Sequence, residues 1–322
     1  MMMFQDFIKS WVLSLLLLSS VAFTACQNHS DKVDPAKPTQ TQTLKVLTPD
    51  WSIAATLTAM GYPPIATGDV AEYPEWAGKP DLPNTTIDLG ARFAPNPELI
   101  SQLSPDLVID NDFYQHLRPL YGNTPVKSIN PQTTDPNKPA TWQSYADSVM
   151  ALGEAIDQPT AAKTYIDKSH EQITNLGQTF RKQYPTIRKL AVIQFASANQ
   201  FRSYSDNSLF KPTLDIIGLE LVHLGQGNQW GFSDAKLGDL VKFDDSTCVV
   251  VVEPYSPMLQ QQLENNALWQ RMGYSKETAN PRCMMVVPPT WIYGGMPSMV
   301  GFAESLTHVA PNHASVKTGG KR

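Results

Sequence analysis

Short apolar runs alternate with amphipathic stretches along most of the chain. The runs in the second half are almost continuously apolar, which is typical of strands buried on both faces of a parallel sheet. The predicted strands are residues 44–47, 107–109, 190–193, 249–252 and 284–287. The predicted helices between them are residues 53–60, 97–103, 211–217 and 259–272. This alternation predicts βαβ units, an α/β fold and parallel sheets.

One long amphipathic segment separates the two halves. Its apolar residues recur largely at spacings of three or four, which predicts a helix with one buried face. These residues are Ala162, Tyr165, Ile166, Ile173, Leu176 and Phe180. Pro159 suits the first helical turn and Pro185 ends the helix, so the segment forms a rod of roughly 35 Å. A single rod between two α/β lobes predicts small hinge motions rather than wide closure.

The chain of 322 residues exceeds what one compact core usually accommodates, so we expect two lobes. With the flanking and connecting parts, the sequence divides into six predicted segments. They are a leader at residues 1–25, a tether at 26–43, an amino-terminal lobe at 44–157, a connecting helix at 158–184, a carboxy-terminal lobe at 185–314 and a tail at 315–322. The tether is polar, contains Pro35 and Pro38, and lacks apolar periodicity.

The leader has the form of a secretory signal. Lys9 precedes a short apolar stretch at residues 11–23, which closes with Thr24, Ala25 and Cys26. This stretch is too short for a membrane-spanning helix. A cysteine after small residues resembles bacterial lipoprotein signals, which are cleaved before the cysteine and carry lipid on its thiol. We therefore expect a protein of the periplasm or cell envelope, lipid-anchored to a membrane at Cys26; a plain signal peptide with an unmodified cysteine is the alternative.

Composition and motifs exclude several classes of protein. The chain has 25 Lys plus Arg, 30 Asp plus Glu and a net charge of −5, which argues against nucleic acid and anionic membrane surfaces as partners. It has no Walker loop, no GxGxxG after a strand, no HExxH and no nucleophile elbow, so nothing in it requires catalysis.

Cys248 and Cys283 each begin a strand-like run outside any CxxC motif. Neighbouring strands could join them in a disulfide, and two buried free thiols are an equal alternative.

Aromatic residues recur where predicted strands end. Trp291 and Tyr293 lie in PPTWIYGGMPSMVGFAESL, between an apolar run and a helix. The others are Tyr73 and Trp76 in a loop, Phe113 and Tyr114 after the strand ending at residue 109, and Trp230 between glycines. Ligands of open α/β sheets bind outside the carboxyl ends of the strands. Rings gathered there from both lobes predict one apolar cleft, although any single ring could serve packing instead.

Five stretches carry a specific resemblance through their order and spacing. They are IDLGARFAPNPELI, SDNSLFKPTLDIIG, NQWGFS, LWQRMGY and TWIYGGMPSMVGFAESL. Together they resemble the iron(III)-hydroxamate, ferrichrome-type binding proteins of bacterial ABC importers. The resemblance implies two Rossmann-like lobes with parallel sheets joined by one long connecting helix, the architecture of class III periplasmic binding proteins. It also implies a monomeric substrate-binding component without a cofactor, which is not an enzyme and which delivers its ligand to an ABC permease with a cytoplasmic ATPase.

By position, the resemblance implies six ligand-binding residues. Arg92 would donate hydrogen bonds to the hydroxamate oxygens around the iron, and Tyr114 would share that polar contact. The walls would be formed by Trp76, Trp230, Trp291 and Tyr293. Arg92 also has an alternative interpretation, as a surface arginine that pairs with Asp88 or Glu98.

The charge of the ligand favours a hydroxamate. Ferric iron held by three hydroxamates is formally neutral and fully coordinated, so the protein needs no metal ligand and few charges. One guanidinium, with its planar fork of donors, suits the clustered ligand oxygens. A ferric tris-catecholate carries three negative charges and would require several basic residues, whereas the loops offer Arg92 and, less securely, Lys79 and Arg118. Two alternatives are haem or cobalamin on the same fold, with Tyr114 or Tyr293 as an axial haem ligand, and a surface lipoprotein enzyme.

Overall fold

Two β-sheets organise the part of the chain that the structure describes. This structure, a computed structural model, describes residues 44–132, 135–275 and 278–311. The predicted leader at residues 1–25, the lipidation residue Cys26 and the tail at residues 315–322 lie outside the described residues.

The first sheet is entirely parallel. Its half of the chain contains β1 (Val46–Leu47), α1 (Trp51–Ala59), β2 (Ala66–Thr67), α2 (Tyr73–Trp76), β3 (Ile87–Asp88), α3 (Pro97–Leu103), β4 (Leu107–Asp110), a 3₁₀ helix at Asp112–Tyr121 and β5 (Val126–Ser128). The strands pair in the order β3-β2-β1-β4-β5. Asp50 and Asn111 follow β1 and β4, and each side chain accepts hydrogen bonds from the backbone N–H groups of the helix after it. Capped helices therefore begin just after β1 and β4, at the edge of the sheet where the parallel strands end.

Helices α4 (Trp142–Ala155) and α5 (Pro159–Gln183) follow the first sheet. The 25 residues of α5 begin at a proline in the first turn and end two residues before Pro185, because proline has no N–H with which to continue the helix. Its buried residues include Ala162, Ile173 and Phe180, which lie on the predicted apolar face.

The second sheet is mixed. Its half of the chain contains β6 (Lys189–Ser197), β7 (Gln200–Tyr204), α6 (Phe210–Ile217), β8 (Glu220–Leu221), β9 (Phe232–Lys236), a 3₁₀ helix at Leu237–Lys242, β10 (Thr247–Val252), α7 (Pro257–Glu264), α8 (Ala267–Arg271), β11 (Met284–Val287) and α9 (Met296–His308). The main strand order is β11-β10-β6-β7-β9, with β8 beside β6. Strands β6, β10 and β11 are parallel, as expected. The unpredicted strand β8 is also parallel to β6, whereas β7 runs antiparallel to both β6 and β9.

Two local features explain where the second half departs from the sequence expectation. Only Ala198 and Asn199 connect β6 to β7, and a parallel pair would need a crossover of about a dozen residues or more. The predicted helix at 259–272 is two helices, because the Asn266 side chain accepts hydrogen bonds from the N–H groups of Leu268 and Trp269 and so starts α8 anew.

One hydrophobic core is shared by both halves of the described chain. It contains Ile53 and Leu57 of α1 together with Val250 of β10 and Phe302 of α9, and Phe180 of α5 lies within it. Helix α5 packs against α4, α6 and α9, and α9 also packs against α1. A shared, close-packed core resists large relative movement of the two sheets.

Cys248 of β10 and Cys283, which directly precedes β11, form a disulfide in the structure, with their Cα atoms 4.5 Å apart. The register explains the proximity, since Val249 pairs with Met284 and the Val249 N–H donates to the Cys283 carbonyl. Of the two alternatives that the sequence left open, the structure therefore has the bonded pair.

Among the described helices, none combines the length and apolar character that crossing a bilayer requires.

Candidate functional site

An aromatic cleft of about 460 Å³ lies where the loops after several strands converge. Its lining residues come from both halves of the chain: Asp50, Arg92, Phe93, Asn111, Asp112, Phe113, Tyr114, Asn130, Pro131, Gln132, Gln229, Trp230, Trp291 and Tyr293. Asp50 and Asn111 follow β1 and β4 of the first sheet, and Trp291 follows β11 of the second. This is the position, outside the carboxyl ends of strands, at which α/β sheets bind ligands.

The guanidinium of Arg92 lies against aromatic rings. Its guanidinium carbon is 3.8 Å from the centre of the Trp51 ring and 5.2 Å from that of Trp291. Only 15% of the side chain is exposed, and the buried Nε and Nη1 atoms have no hydrogen-bond acceptor among the described residues. Unsatisfied buried donors are costly, particularly on a charged group. Because Arg92 also lines the cleft, the arrangement suits a ligand whose acceptor oxygens approach the guanidinium from that side.

The backbone beneath Arg92 requires a glycine. A Cβ on Gly68 would lie 2.5 Å from the Arg92 Cα, which is closer than atoms of this kind can approach. The Gly68 carbonyl accepts a hydrogen bond of 2.8 Å from Trp51 Nε1, so the same residue positions the ring on which the guanidinium stacks. Asp69, the next residue, accepts from the Arg92 backbone N–H at 3.2 Å.

Asp50 is a buried carboxylate near the guanidinium. It accepts hydrogen bonds from the backbone N–H groups of Ser52 and Ile53 and from Asn111 Nδ2 at 2.8 Å. Burial raises the pKa of the Asp50 carboxyl, and those three hydrogen bonds and the charge of Arg92 partly counter the rise. Asp50 therefore orders the floor of the cleft through hydrogen bonds.

A continuous set of rings covers the walls. Phe93 stacks on Tyr114 at 5.8 Å between ring centres, and Phe113 meets both edge-on. Phe113 of the first half also meets Trp230 of the second half at 5.8 Å. Trp230 contacts Tyr293 at 5.4 Å, and Tyr293 contacts Trp291 at 5.2 Å. Offset and edge-on contacts of this kind hold aromatic walls rigid.

Tyr114 lines the cleft although its side chain is almost fully buried. Burial is the largest effect on its titration and raises the pKa of the phenol, and the negative charge of Asp50 raises it further. The hydroxyl therefore stays neutral over the physiological range and can act as a hydrogen-bond donor.

Five of the six predicted ligand-binding residues line this cleft. They are Arg92, Tyr114, Trp230, Trp291 and Tyr293. Trp76 does not line it: its side chain is 41% exposed and lies in a separate groove with Pro254 and Pro257. The reason is that Tyr73, one helical turn earlier, occupies the buried position against Trp51, at 5.6 Å. The placement of Trp76 as a wall of the cleft is therefore a prediction that the geometry does not support.

The basic residues of the candidate loops are placed differently from one another. The Arg92 Nε lies 3.8 Å from the nearest Asp69 oxygen, and the structure shows no ion pair of Arg92 with Asp88 or Glu98 among the described residues. Lys79 pairs with Asp81 on the exposed surface, and Arg118 forms two hydrogen bonds to the buried Asp110 carboxylate. In the described lining of the cleft, Arg92 is therefore the one cationic side chain.

Sequence reasoning missed Trp51, Asp50 and Asn111. Trp51 begins an apolar helix, where a ring is usually core, and its role appears only when Arg92 lies on it. The one available signal for Asp50 and Asn111 was their position directly after a strand and before a helix, which is typical of N-cap residues as much as of binding residues.

A polar rim completes the cleft. Asp112, Asn130, Gln132 and Gln229 lie among its lining residues. Asp112 Oδ2 accepts a hydrogen bond from Asn130 Nδ2 at 3.0 Å, and Oδ1 accepts one from Ser128 Oγ at 3.1 Å. The cleft thus has an aromatic interior around a guanidinium and a mouth that carries a carboxylate and amides.

The chain is similar to known binding proteins over most of its length. A family model described as periplasmic binding protein matches residues 46–277. The iron(3+)-hydroxamate-binding protein FhuD of Escherichia coli (strain K12) is 23% identical over 296 residues, which are 92% of this chain and 94% of that protein.

Two solved structures show the same fold. The siderophore-binding protein FhuD from Vibrio cholerae, bound to Fe³⁺-Desferal, has a TM-score of 0.72 and 21% identity, covering 83% of this chain and 97% of that one. The triscatecholate siderophore-binding protein FeuA from Bacillus subtilis, with ferri-bacillibactin, has a TM-score of 0.59 and 17% identity, covering 83% and 93%. These two similarities therefore establish the fold and leave the identity of the ligand to the residues of the cleft.

Proposed function

The chain belongs to the periplasmic binding protein family, a family of binding proteins rather than enzymes, and we propose that it is the substrate-binding component of an ABC importer of ferric hydroxamate siderophores. It captures one ferric complex per monomer and delivers it to a membrane permease, and the partner ATPase supplies the energy. The similarity to the hydroxamate-binding protein of E. coli supports this proposal.

The observation that carries the proposal is the environment of Arg92. A neutral, fully coordinated ferric complex presents apolar linkers and a cluster of hydroxamate oxygens. The rings of the cleft suit the linkers, and the Arg92 guanidinium that lines it suits the oxygens, because two of its donors have no acceptor among the described residues. Since the siderophore supplies all six iron ligands, the protein needs no metal-binding side chains, and the described residues contain no cluster that could hold an ion.

The charge of the cleft favours a hydroxamate over a catecholate. Its described lining has one guanidinium and two carboxyl groups, those of Asp50 and Asp112. A ferric tris-catecholate would bring three negative charges into this environment, at a cost that a single arginine does not offset. Lys79 and Arg118 do not alter the balance, because neither lines the cleft.

We propose that the protein acts at the outer face of the cytoplasmic membrane or elsewhere in the cell envelope, held by lipid on Cys26 and a polar tether. The form of the leader supports this anchoring, although the residues concerned lie outside the described ones. A Cys26→Ser variant is expected to leave the membrane fraction and appear in the soluble envelope fraction. Retention of the variant on the membrane would contradict lipidation at this residue.

Isothermal titration with three ligands tests the function. A ferric trihydroxamate is expected to bind in a 1:1 complex, and a ferric tris-catecholate and haem are expected to bind at least tenfold more weakly. Haem also has a spectroscopic control, because axial ligation by Tyr293 would produce a Soret band that is lost in Tyr293→Phe. Tighter binding of haem or of the catecholate than of the hydroxamate would overturn the proposed cargo.

A further inference from the structure

Asp112 is a fixed carboxylate at the mouth of the cleft. Both of its oxygens accept hydrogen bonds, from Ser128 Oγ and Asn130 Nδ2, and its backbone N–H donates to Asn130 Oδ1 at 3.3 Å. Asn130 is held in turn by Ser148, whose hydroxyl donates to the Asn130 carbonyl at 2.7 Å. The carboxylate is therefore presented to the cleft in a defined position at little further cost in side-chain entropy.

Asp112 forms no direct ion pair with a lysine or arginine of the described residues, although the charge of Arg118 lies close enough to contribute to the lowering of its pKa. No lysine or arginine nitrogen among those residues lies within 4.0 Å of its carboxylate. The nearest candidate by sequence, Arg118, is committed to Asp110 through two hydrogen bonds. The Asn130 and Ser128 hydrogen bonds lower the pKa of the Asp112 carboxyl, so it is ionised at neutral pH.

The position of this charge is unusual for an apolar cleft. Asp112 lies among the lining residues of the cleft, and its sequence neighbour Phe113 contacts Trp230 of the other half. Arg92 can donate hydrogen bonds to a neutral iron centre, whereas a carboxylate at the mouth adds no favourable interaction with that centre. It suits a cationic group that extends from the iron complex towards solvent.

We propose that Asp112 is a specificity-determining residue that favours ferric hydroxamates carrying a free primary ammonium group. This inference rests on the proposed function and refines its substrate class. The iron centre lies in the aromatic interior near Arg92, and the ammonium end of a linear hydroxamate pairs with Asp112 at the mouth. A hydroxamate without a cationic group binds in the same cleft and lacks this contact.

The test compares ferrioxamine B, which has a primary amine, with its N-acetyl derivative, which has the same iron centre and no charge at that end. The wild-type protein is expected to prefer ferrioxamine B by roughly threefold to fivefold, as for an exposed charge pair. Asp112→Asn keeps a similar shape: its amide oxygen can accept from Asn130 Nδ2, and its NH₂ group can donate to the Ser128 hydroxyl. This variant is expected to bind both ligands with the affinity that the wild type has for the acetylated one.

Asp167→Asn is the matched control, because Asp167 is an exposed carboxylate on α5 that pairs with Lys163 and does not line the cleft. It makes the same change in net charge and should preserve the preference for ferrioxamine B. Salt gives a test that needs no variant: raising the ionic strength should weaken the wild-type preference, since exposed pairs are screened.

The possible results distinguish a failure of the role proposed for Asp112 from a failure of the proposed function. Equal wild-type affinity for the two ligands, or a preference that Asp112→Asn leaves intact, overturns the role of Asp112 and leaves hydroxamate binding untouched. Binding of neither ligand by the wild type overturns the proposed function itself.

Discussion

The guanidinium carbon of Arg92 lies 3.8 Å from the centre of the Trp51 ring. This contact occupies the face of the guanidinium, while Nε and Nη1 find no acceptor among the described residues. A cation over an indole contributes about 0.5–2 kcal/mol, so the ring stabilises the charge without using its hydrogen-bond donors. The pairing thus orders the arginine without using its hydrogen-bond donors.

Arg92→Ala should weaken binding of a ferric hydroxamate by more than about 1.5 kcal/mol, the usual contribution of a charged hydrogen bond. Arg92→Lys should give an intermediate loss, because lysine retains the charge and loses the planar fork. Titration calorimetry measures both. Arg202→Ala is the control, since Arg202 also lies over a ring, that of Phe232, and does not line the cleft. Equal affinity of Arg92→Ala and wild type would remove Arg92 from the site.

Gly68→Ala should weaken ligand binding without touching the ligand. The added Cβ would lie 2.5 Å from the Arg92 Cα and would force the loop that carries Arg92 to move. We expect a loss of affinity of at least fivefold and a destabilisation of about 1–3 kcal/mol, as for an overpacked site. Gly301→Ala is the matched control, because a Cβ there meets no atom within 4 Å and alanine favours a helix. Wild-type affinity in Gly68→Ala would show that the loop tolerates displacement.

Binding should not depend on ionisation of Tyr114 at alkaline pH. An exposed tyrosine titrates near pH 10, and burial raises the pKa of Tyr114 above that value. The phenol therefore keeps its proton as the pH rises from 7 to 9.5, and the dissociation constant should stay within about twofold over that range. Tyr114→Phe should bind more weakly at every pH if the hydroxyl donates to the ligand. A loss of affinity at high pH that is absent in Tyr114→Phe would show that the residue titrates.

Removing the disulfide should reduce stability and leave the affinity largely intact. Cys248 and Cys283 are 35 residues apart, and a closed loop of that length corresponds to about 3–4 kcal/mol in the chain-entropy account. Cys283 precedes β11, whereas the cleft residue Trp291 follows that strand, so the bond lies at the opposite end of β11 from the ligand. Urea unfolding of Cys248→Ala/Cys283→Ala measures the change. An unchanged free energy of unfolding would contradict a stabilising role.

The sequence predicted those features whose physical cause is local. Parallel strands such as Val249–Val252 are apolar throughout, and α5 has an apolar face between two prolines, so neither needs tertiary information. The sequence did not predict strand β7, because its antiparallel pairing depends on a two-residue connection rather than on its own composition. The sequence was misleading for two tryptophans. Trp51 has the pattern of a core residue but contacts Arg92 at the candidate site, and Trp76 was predicted to line the cleft but lies in another groove. Which ring faces a cleft depends on tertiary packing, and spacing along the chain does not encode it.

A crystal structure of the protein with a ferric trihydroxamate measures the central relationship directly. We expect the iron complex to lie between Trp230, Trp291 and Tyr293, with Arg92 nitrogens about 2.7–3.2 Å from hydroxamate oxygens. A complex bound outside this cleft, or one whose oxygens lie beyond hydrogen-bond distance of Arg92, would contradict this expectation.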